Sequence, residues 1–158
     1  MRSAFARLTA AFALTASAAV AQIVEDEHVL VFGVLTIEHP WARAAVAGSD
    51  TLAFTEIINA GTPDRLLSAA TPVATSVEIV GLTITGDRIG TVPVGPIEIP
   101  AGEFALDPGG LGLALRALTQ PLVQGTEFEL TLTFAQAGDV TIHVLVEAAN
   151  AMAHGHAH

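Results

Sequence analysis

The sequence predicts a single all-β domain, a β-sandwich or Greek-key barrel. Three observations lead there: apolar residues alternate with period two, turn-forming residues recur at short spacing, and no long helical period follows residue 21. The alternation is clearest over residues 126–134, where Phe128, Leu130, Leu132 and Phe134 take one face and Glu127, Glu129, Thr131 and Thr133 the other. That is the pattern of a half-buried antiparallel strand. Ala137-Gly138-Asp139 then turns the chain, and Val140, Ile142, Val144 and Val146 resume the inward period while Thr141, His143 and Glu147 point out. The two runs form a predicted hairpin. Upstream, short runs rich in β-branched residues fall at 29–37, 52–58, 65–70, 76–84, 97–99, 103–106 and 111–118. Asn59-Ala60-Gly61-Thr62-Pro63-Asp64, Thr85-Gly86-Asp87, Pro100-Ala101-Gly102 and Asp107-Pro108-Gly109-Gly110 separate them as turns.

The ends of the chain depart from this pattern. Arg2 and Arg7 flank the start of an apolar stretch over 8–20 that ends in Ala19-Val20-Ala21. This reads as a secretory signal, residues 1–21, cleaved before Gln22, and it falls short of the ~20 apolar residues a membrane span needs. Residues 22–28 include the acidic run Glu25-Asp26-Glu27 before His28 and are expected to be mobile. The β-domain occupies 29–147, and 148–158 is expected to be a flexible tail that contains histidines. The exported product is expected in the periplasm.

Composition narrows the chemistry. Cysteine is absent, so the fold must hold without disulfides, and thiolate metal sites and iron–sulfur clusters are excluded. Lysine is absent too, and the formal net charge of −10 repels nucleic acid and anionic membrane surfaces. No Gly-x-Ser-x-Gly elbow or His-Glu-x-x-His motif occurs, and no pair of carboxylates stands out, so the chain does not read as an enzyme. Arg43, Arg65, Arg88 and Arg116 are dispersed and read as partners of nearby acids.

Ile37-Glu38-His39-Pro40-Trp41-Ala42-Arg43-Ala44 is followed in order by Asn59-Ala60-Gly61, Asp64-Arg65-Leu66, Val77-Glu78-Ile79, Ile99-Pro100-Ala101-Gly102 and Leu106-Asp107-Pro108-Gly109-Gly110. Pro121-Leu122, Gly125 and Leu130-Thr131-Leu132-Thr133-Phe134 complete the series. This ordered set resembles the periplasmic PCu(A)C copper chaperones across nearly all of the exported domain. The resemblance implies a cupredoxin-like Greek-key fold and a role in passing copper towards cytochrome oxidase. It also implies a Cu(I) site of histidines and methionines, a soft donor set suited to that ion. At the positions where the family carries those ligands this chain has Val80, Leu82, Gly112 and Ala114, and the hairpin Gly86-Asp87-Arg88-Ile89-Gly90-Thr91 holds no sulfur. Hydrocarbon side chains donate no electron pair, so the usual site is not carried over.

The remaining candidate ligands are Met152, His154, His156 and His158 in the tail, which resembles the His- and Met-rich extensions of family members. Alternating imidazoles on a Gly- and Ala-rich backbone suit Cu(II), Zn(II) or Ni(II), and Met152 adds a thioether for Cu(I). His39 reads as a packing residue, His28 as a loose ligand or a solvated side chain, and His143 as surface. Two functions follow. One is copper handling through the tail, with delivery to a periplasmic partner such as an oxidase assembly factor. The other is a ligand-free interaction module that docks a partner on aliphatic surface around Val80, Leu82, Ile89 and Ala114.

Overall fold

The computed structural model describes residues 28–155, and among these there is no helix. Eleven strands form one sheet: β1 (Val29–Phe32), β2 (Leu35–Arg43), β3 (Thr51–Asn59), β4 (Asp64–Ala70), β5 (Ala74–Thr85), β6 (Arg88–Pro93), β7 (Ile97–Ile99), β8 (Gly102–Leu106), β9 (Leu111–Leu118), β10 (Glu127–Phe134) and β11 (Gly138–Glu147). The order is β6-β5-β9-β3-β2-β11-β10-β4-β7, with β1 added on β2 and β8 on β3. The sheet is open rather than closed, because β6 and β7 end it without pairing to each other. All pairings are antiparallel except β11 with β2, which run parallel.

The alternation over β10 and β11 is realised as expected. Phe128, Leu130, Leu132 and Phe134 join Val140, Ile142, Val144 and Val146 in one buried cluster, while Thr141 and His143 are exposed. The turn lies slightly earlier than the sequence suggests, at 135–137, and Gly138 opens β11 at a φ of +81° opposite Phe134. The run 29–37 is also two strands rather than one. Gly33, at φ +61°, and Val34 form a tight hairpin turn, so Phe32 pairs with Leu35. Glycine adopts that left-handed backbone without a Cβ penalty, which apolar periodicity cannot reveal.

Both faces of the sheet bury apolar side chains where β2, β3, β9 and β5 lie side by side. Ala42, Ala53, Leu113, Leu115 and Ile79 belong to the main core. Trp41, Phe54, Ala114 and Val80 alternate with them in sequence, lie on the opposite face, and are buried as well. The indole of Trp41 packs on Phe54 with ring centroids 4.8 Å apart. Val80 and Ala114 are 0% exposed. Of the four residues expected in an aliphatic docking surface, these two lie inside, while Leu82 and Ile89 are half-buried.

The β4 end of the sheet is fastened by a buried carboxylate. Asp64 Oδ1 accepts the N–H groups of Arg65 (2.7 Å) and Gln136 (2.9 Å), and Oδ2 accepts that of Ala137 (3.0 Å), which ties β4 to the β10–β11 turn. Burial pushes this carboxyl up, but the three backbone donors prevail and hold it below the usual aspartate value. A depressed folded pKa adds stability that is fully present above the unfolded value and is lost as pH falls through the folded one. Asp64→Asn is therefore expected to cost about 1–3 kcal/mol at neutral pH, since one amide N–H would face a backbone donor. The deficit should shrink as pH drops below about 4, where this aspartate begins to protonate in the unfolded chain, and vanish as pH falls through the lower folded value. Chemical denaturation of both proteins across that range checks it.

Candidate metal centre

The site is built on a defect in β2. Its register with β3 shifts between Glu38 and Trp41, and His39 takes a φ of +47° immediately before Pro40. A β-bulge frees one residue from the ladder and re-aims its side chain, and a left-handed non-glycine residue before proline is strained. The neighbour of β2 changes at the same point, from β1 beside 35–38 to β11 beside 41–43. The bulge keeps its backbone satisfied locally. His39 N–H donates to the carbonyl of His28 at 2.7 Å, and the Thr55 hydroxyl donates to the carbonyl of Glu38 at 2.9 Å.

Beyond Glu147 the chain folds back over this strand. Arg43 Nε donates to the Ala151 carbonyl at 2.8 Å, and Nη2 lies 3.1 Å from the sulfur of Met152. The same guanidinium sits over the Phe54 ring, 5.8 Å from its centroid, and burial lowers its pKa from the ordinary arginine value. Arg43 thus clasps the tail rather than an acid, whereas Arg116 follows the expectation and pairs with Asp50 and Glu78.

The clasp delivers His154 to two other imidazoles. Its ring centroid lies 5.3 Å from that of His28, nearly edge-on at 69°, and 5.4 Å from that of His39, tilted by 31°. A carboxylate stands behind two of these rings. Glu147 Oε1 is 3.3 Å from His154 Nδ1 and also accepts the Gly155 N–H at 3.1 Å, while Glu127 Oε1 is 3.9 Å from His28 Nδ1. The side chain of His154 is only 13% exposed. His39 also belongs to a group with Glu38 and Glu56 in which one donor atom of each lies within 4.8 Å of the others. A cleft of about 220 Å³ opens here, floored by Trp41 and bordered by His39, Glu56, Met152 and His154.

Of the four tail residues singled out from sequence, Met152 and His154 lie against β2, and His156 and His158 fall outside the described residues. Met152 is largely exposed and presents its sulfur to Arg43. His28 and His39 were not among those four. His28 reads as a loose ligand or a solvated side chain beside an acidic run and His39 as a packing residue before a proline, and neither reading shows that a third histidine would land between them.

The family's ligand positions do converge, but on hydrocarbon. Val80 pairs with Gly112, and Glu78 with Ala114, across β5 and β9. A Cβ placed on Gly112 would lie 2.9 Å from Phe54 Cε1, so the aromatic ring occupies the space a side chain there would need. Gly112→His is accordingly expected to destabilise the fold by roughly 1–3 kcal/mol through overpacking. Gly112→His combined with Phe54→Ala should lose less than the sum of the two single changes, because one vacates what the other fills. Thermal melts of the four proteins measure that coupling.

The LpqE-like lipoprotein family model matches residues 35–146. Among solved structures, the copper-bound PCuAC domain from PmoF2 is 30% identical, with 77% of this chain and 98% of that chain covered and a TM-score of 0.64. The apo PCuAC domain from PmoF1 is 31% identical, with 77% and 99% covered and a TM-score of 0.64. The solution structure of Cu(I)-loaded DR1885 from Deinococcus radiodurans is 27% identical, with 82% and 87% covered and a TM-score of 0.56. No curated protein matches.

Proposed function

The chain belongs to the PCu(A)C family, and from that premise we propose that it is an exported copper-handling protein, a carrier rather than an enzyme, whose metal is held through its C-terminal tail. The ligands are drawn from Met152, His154, His156 and His158, in place of the family's usual histidine and methionine set. One observation carries this reading: His154 is seated beside two imidazoles and backed by Glu147, while Val80, Leu82, Gly112 and Ala114 offer no donor atom.

Export is supported by the signal-like residues 1–21 and by the lipoprotein description of the matching family. Among the described residues no helix is long and apolar enough to cross a membrane. Copper would pass by ligand exchange to a periplasmic acceptor such as an oxidase assembly factor, and a flexible imidazole donor suits such exchange. The interaction-module alternative keeps Leu82 and Ile89 as half-buried surface, whereas Val80 and Ala114 are buried.

The test is a chelator-competition titration with Cu(I) and Cu(II), comparing the protein from Gln22 with a version that ends at Ala151. The longer protein is expected to bind copper and the shorter one to bind it at least about tenfold more weakly, the scale on which lost support for a metal site is felt. Equal affinities would overturn the proposal.

A further inference from the structure

We infer that His28, His39 and His154 form one composite three-imidazole site for a borderline divalent cation, Cu(II) or Zn(II), and that the ion latches the tail onto β2. This deepens the tail reading and rests on it: His154 supplies the tail's ligand, and the folded body supplies the other two.

The ring spacing from His154 fits ligands that close around one ion. With metal–nitrogen bonds of about 2.0–2.1 Å and tetrahedral angles, two imidazole centroids on a shared ion lie about 5 Å apart. The observed separations from His154 are 5.3 and 5.4 Å. Carboxylates stand near the outer nitrogens of two rings, 3.3 Å away for His154 and 3.9 Å for His28. A histidine that ligates through one nitrogen characteristically gives its other N–H to a carboxylate, which fixes the ring and raises the basicity of the ligating atom. Glu147 beside His154 and Glu127 beside His28 are placed to take that supporting role once the rings close on an ion.

The electrostatic surroundings favour a dication. Glu38 and Glu56 stand beside His39, and Glu127 and Glu147 behind the other two rings. Arg43, a cation beside the tail, points its guanidinium at the sulfur of Met152. That turns the thioether towards a positive charge and leaves imidazole as the donor type, a set that suits Cu(II) and Zn(II) better than Cu(I). The strained backbone of His39 has a purpose on this reading: the bulge turns its ring out of the ladder to meet the tail.

The experiment uses the protein from Gln22, with Cu(II) or Zn(II) against a competing chelator and the fluorescence of Trp41, the sole tryptophan, as a local reporter of Cu(II). His28→Ala, His39→Asn and His154→Ala are compared with wild type and with His143→Ala, a control on an exposed strand position. Asparagine is chosen at 39 because it tolerates the left-handed backbone. Each of the three is expected to weaken binding by about tenfold or more and to reduce quenching of Trp41, with His143→Ala unchanged. Glu147→Gln, which perturbs a positioning residue, should weaken binding by about 10- to 100-fold. Electron paramagnetic resonance of the Cu(II) form should lose nitrogen coupling in each of the three histidine variants. If His39→Asn does not fold, His28→Ala decides, because that ring lies in a turn before β1. Unchanged affinity in His28→Ala, with binding still lost on truncation at Ala151, would overturn the composite site and leave the tail reading intact. Failure of the wild-type protein to bind either ion would overturn both.

Discussion

The parallel pairing of β11 with β2 determines where everything of chemical interest lies. Leu145, Val146 and Glu147 pair with Trp41, Ala42 and Arg43, so the last strand ends beside the arginine that receives the tail. An antiparallel neighbour would have carried the C-terminus away towards the other end of β2. Here the chain has only to reverse over residues 148–155 to come back along the strand towards His39. The turn is compact, with Ala151 N–H donating to the Ala148 carbonyl at 3.0 Å. Position in the topology thus brings together three histidines from near the start, the second strand and the end of the domain.

The motif His39-Pro40-Trp41-Ala42-Arg43 can be read residue by residue against that geometry. His39 leaves the ladder at the bulge, Pro40 contributes no donor that would need a partner, and Ala42 faces the core. Trp41 and Arg43, two apart, share the outer face and meet Phe54 by stacking and by cation–π contact. Phe54 reaches on to Gly112, the position where relatives are expected to carry a histidine. One aromatic pair therefore seals the old metal position and supports the cleft beside His39. Loss of the first site and construction of the second share that floor.

The fold was legible in the sequence because period-two patterning reports directly on which side chains need burial. The alternation of Phe128 to Phe134 and Val140 to Val146 named those core residues one by one. What the pattern hid was burial on the second face. Trp41, Phe54, Val80 and Ala114 occupy positions that a half-buried sheet would leave in water, and only the fold shows them covered. The metal centre was half legible. Histidines at 154, 156 and 158 announce themselves by composition, and His154 alone of these falls within the described residues. Nothing local marks His28 and His39 as its neighbours, since that depends on the parallel β2–β11 pairing, a long-range choice that short-range periodicity does not encode.

The energetics explain why such a site would be suited to exchange rather than permanent storage. Fixing the backbone of the tail costs roughly 1–2 kcal/mol for each residue ordered. Against this stand, among the described residues, the contacts of Arg43 with Ala151 and Met152, of Gly155 with Glu147, and the imidazole cluster. A hydrogen bond in water contributes a net of about 0.5–1.5 kcal/mol, so these few do not by themselves offset the ordering cost. An ion shared between the tail and the body tips that balance, because its coordination energy is lost as soon as His154 lifts away. Metal and tail then bind cooperatively, and an acceptor that competes for a single imidazole loosens both. Release begins at the most mobile ligand, with His28 and His39 keeping partial hold until the transfer is complete.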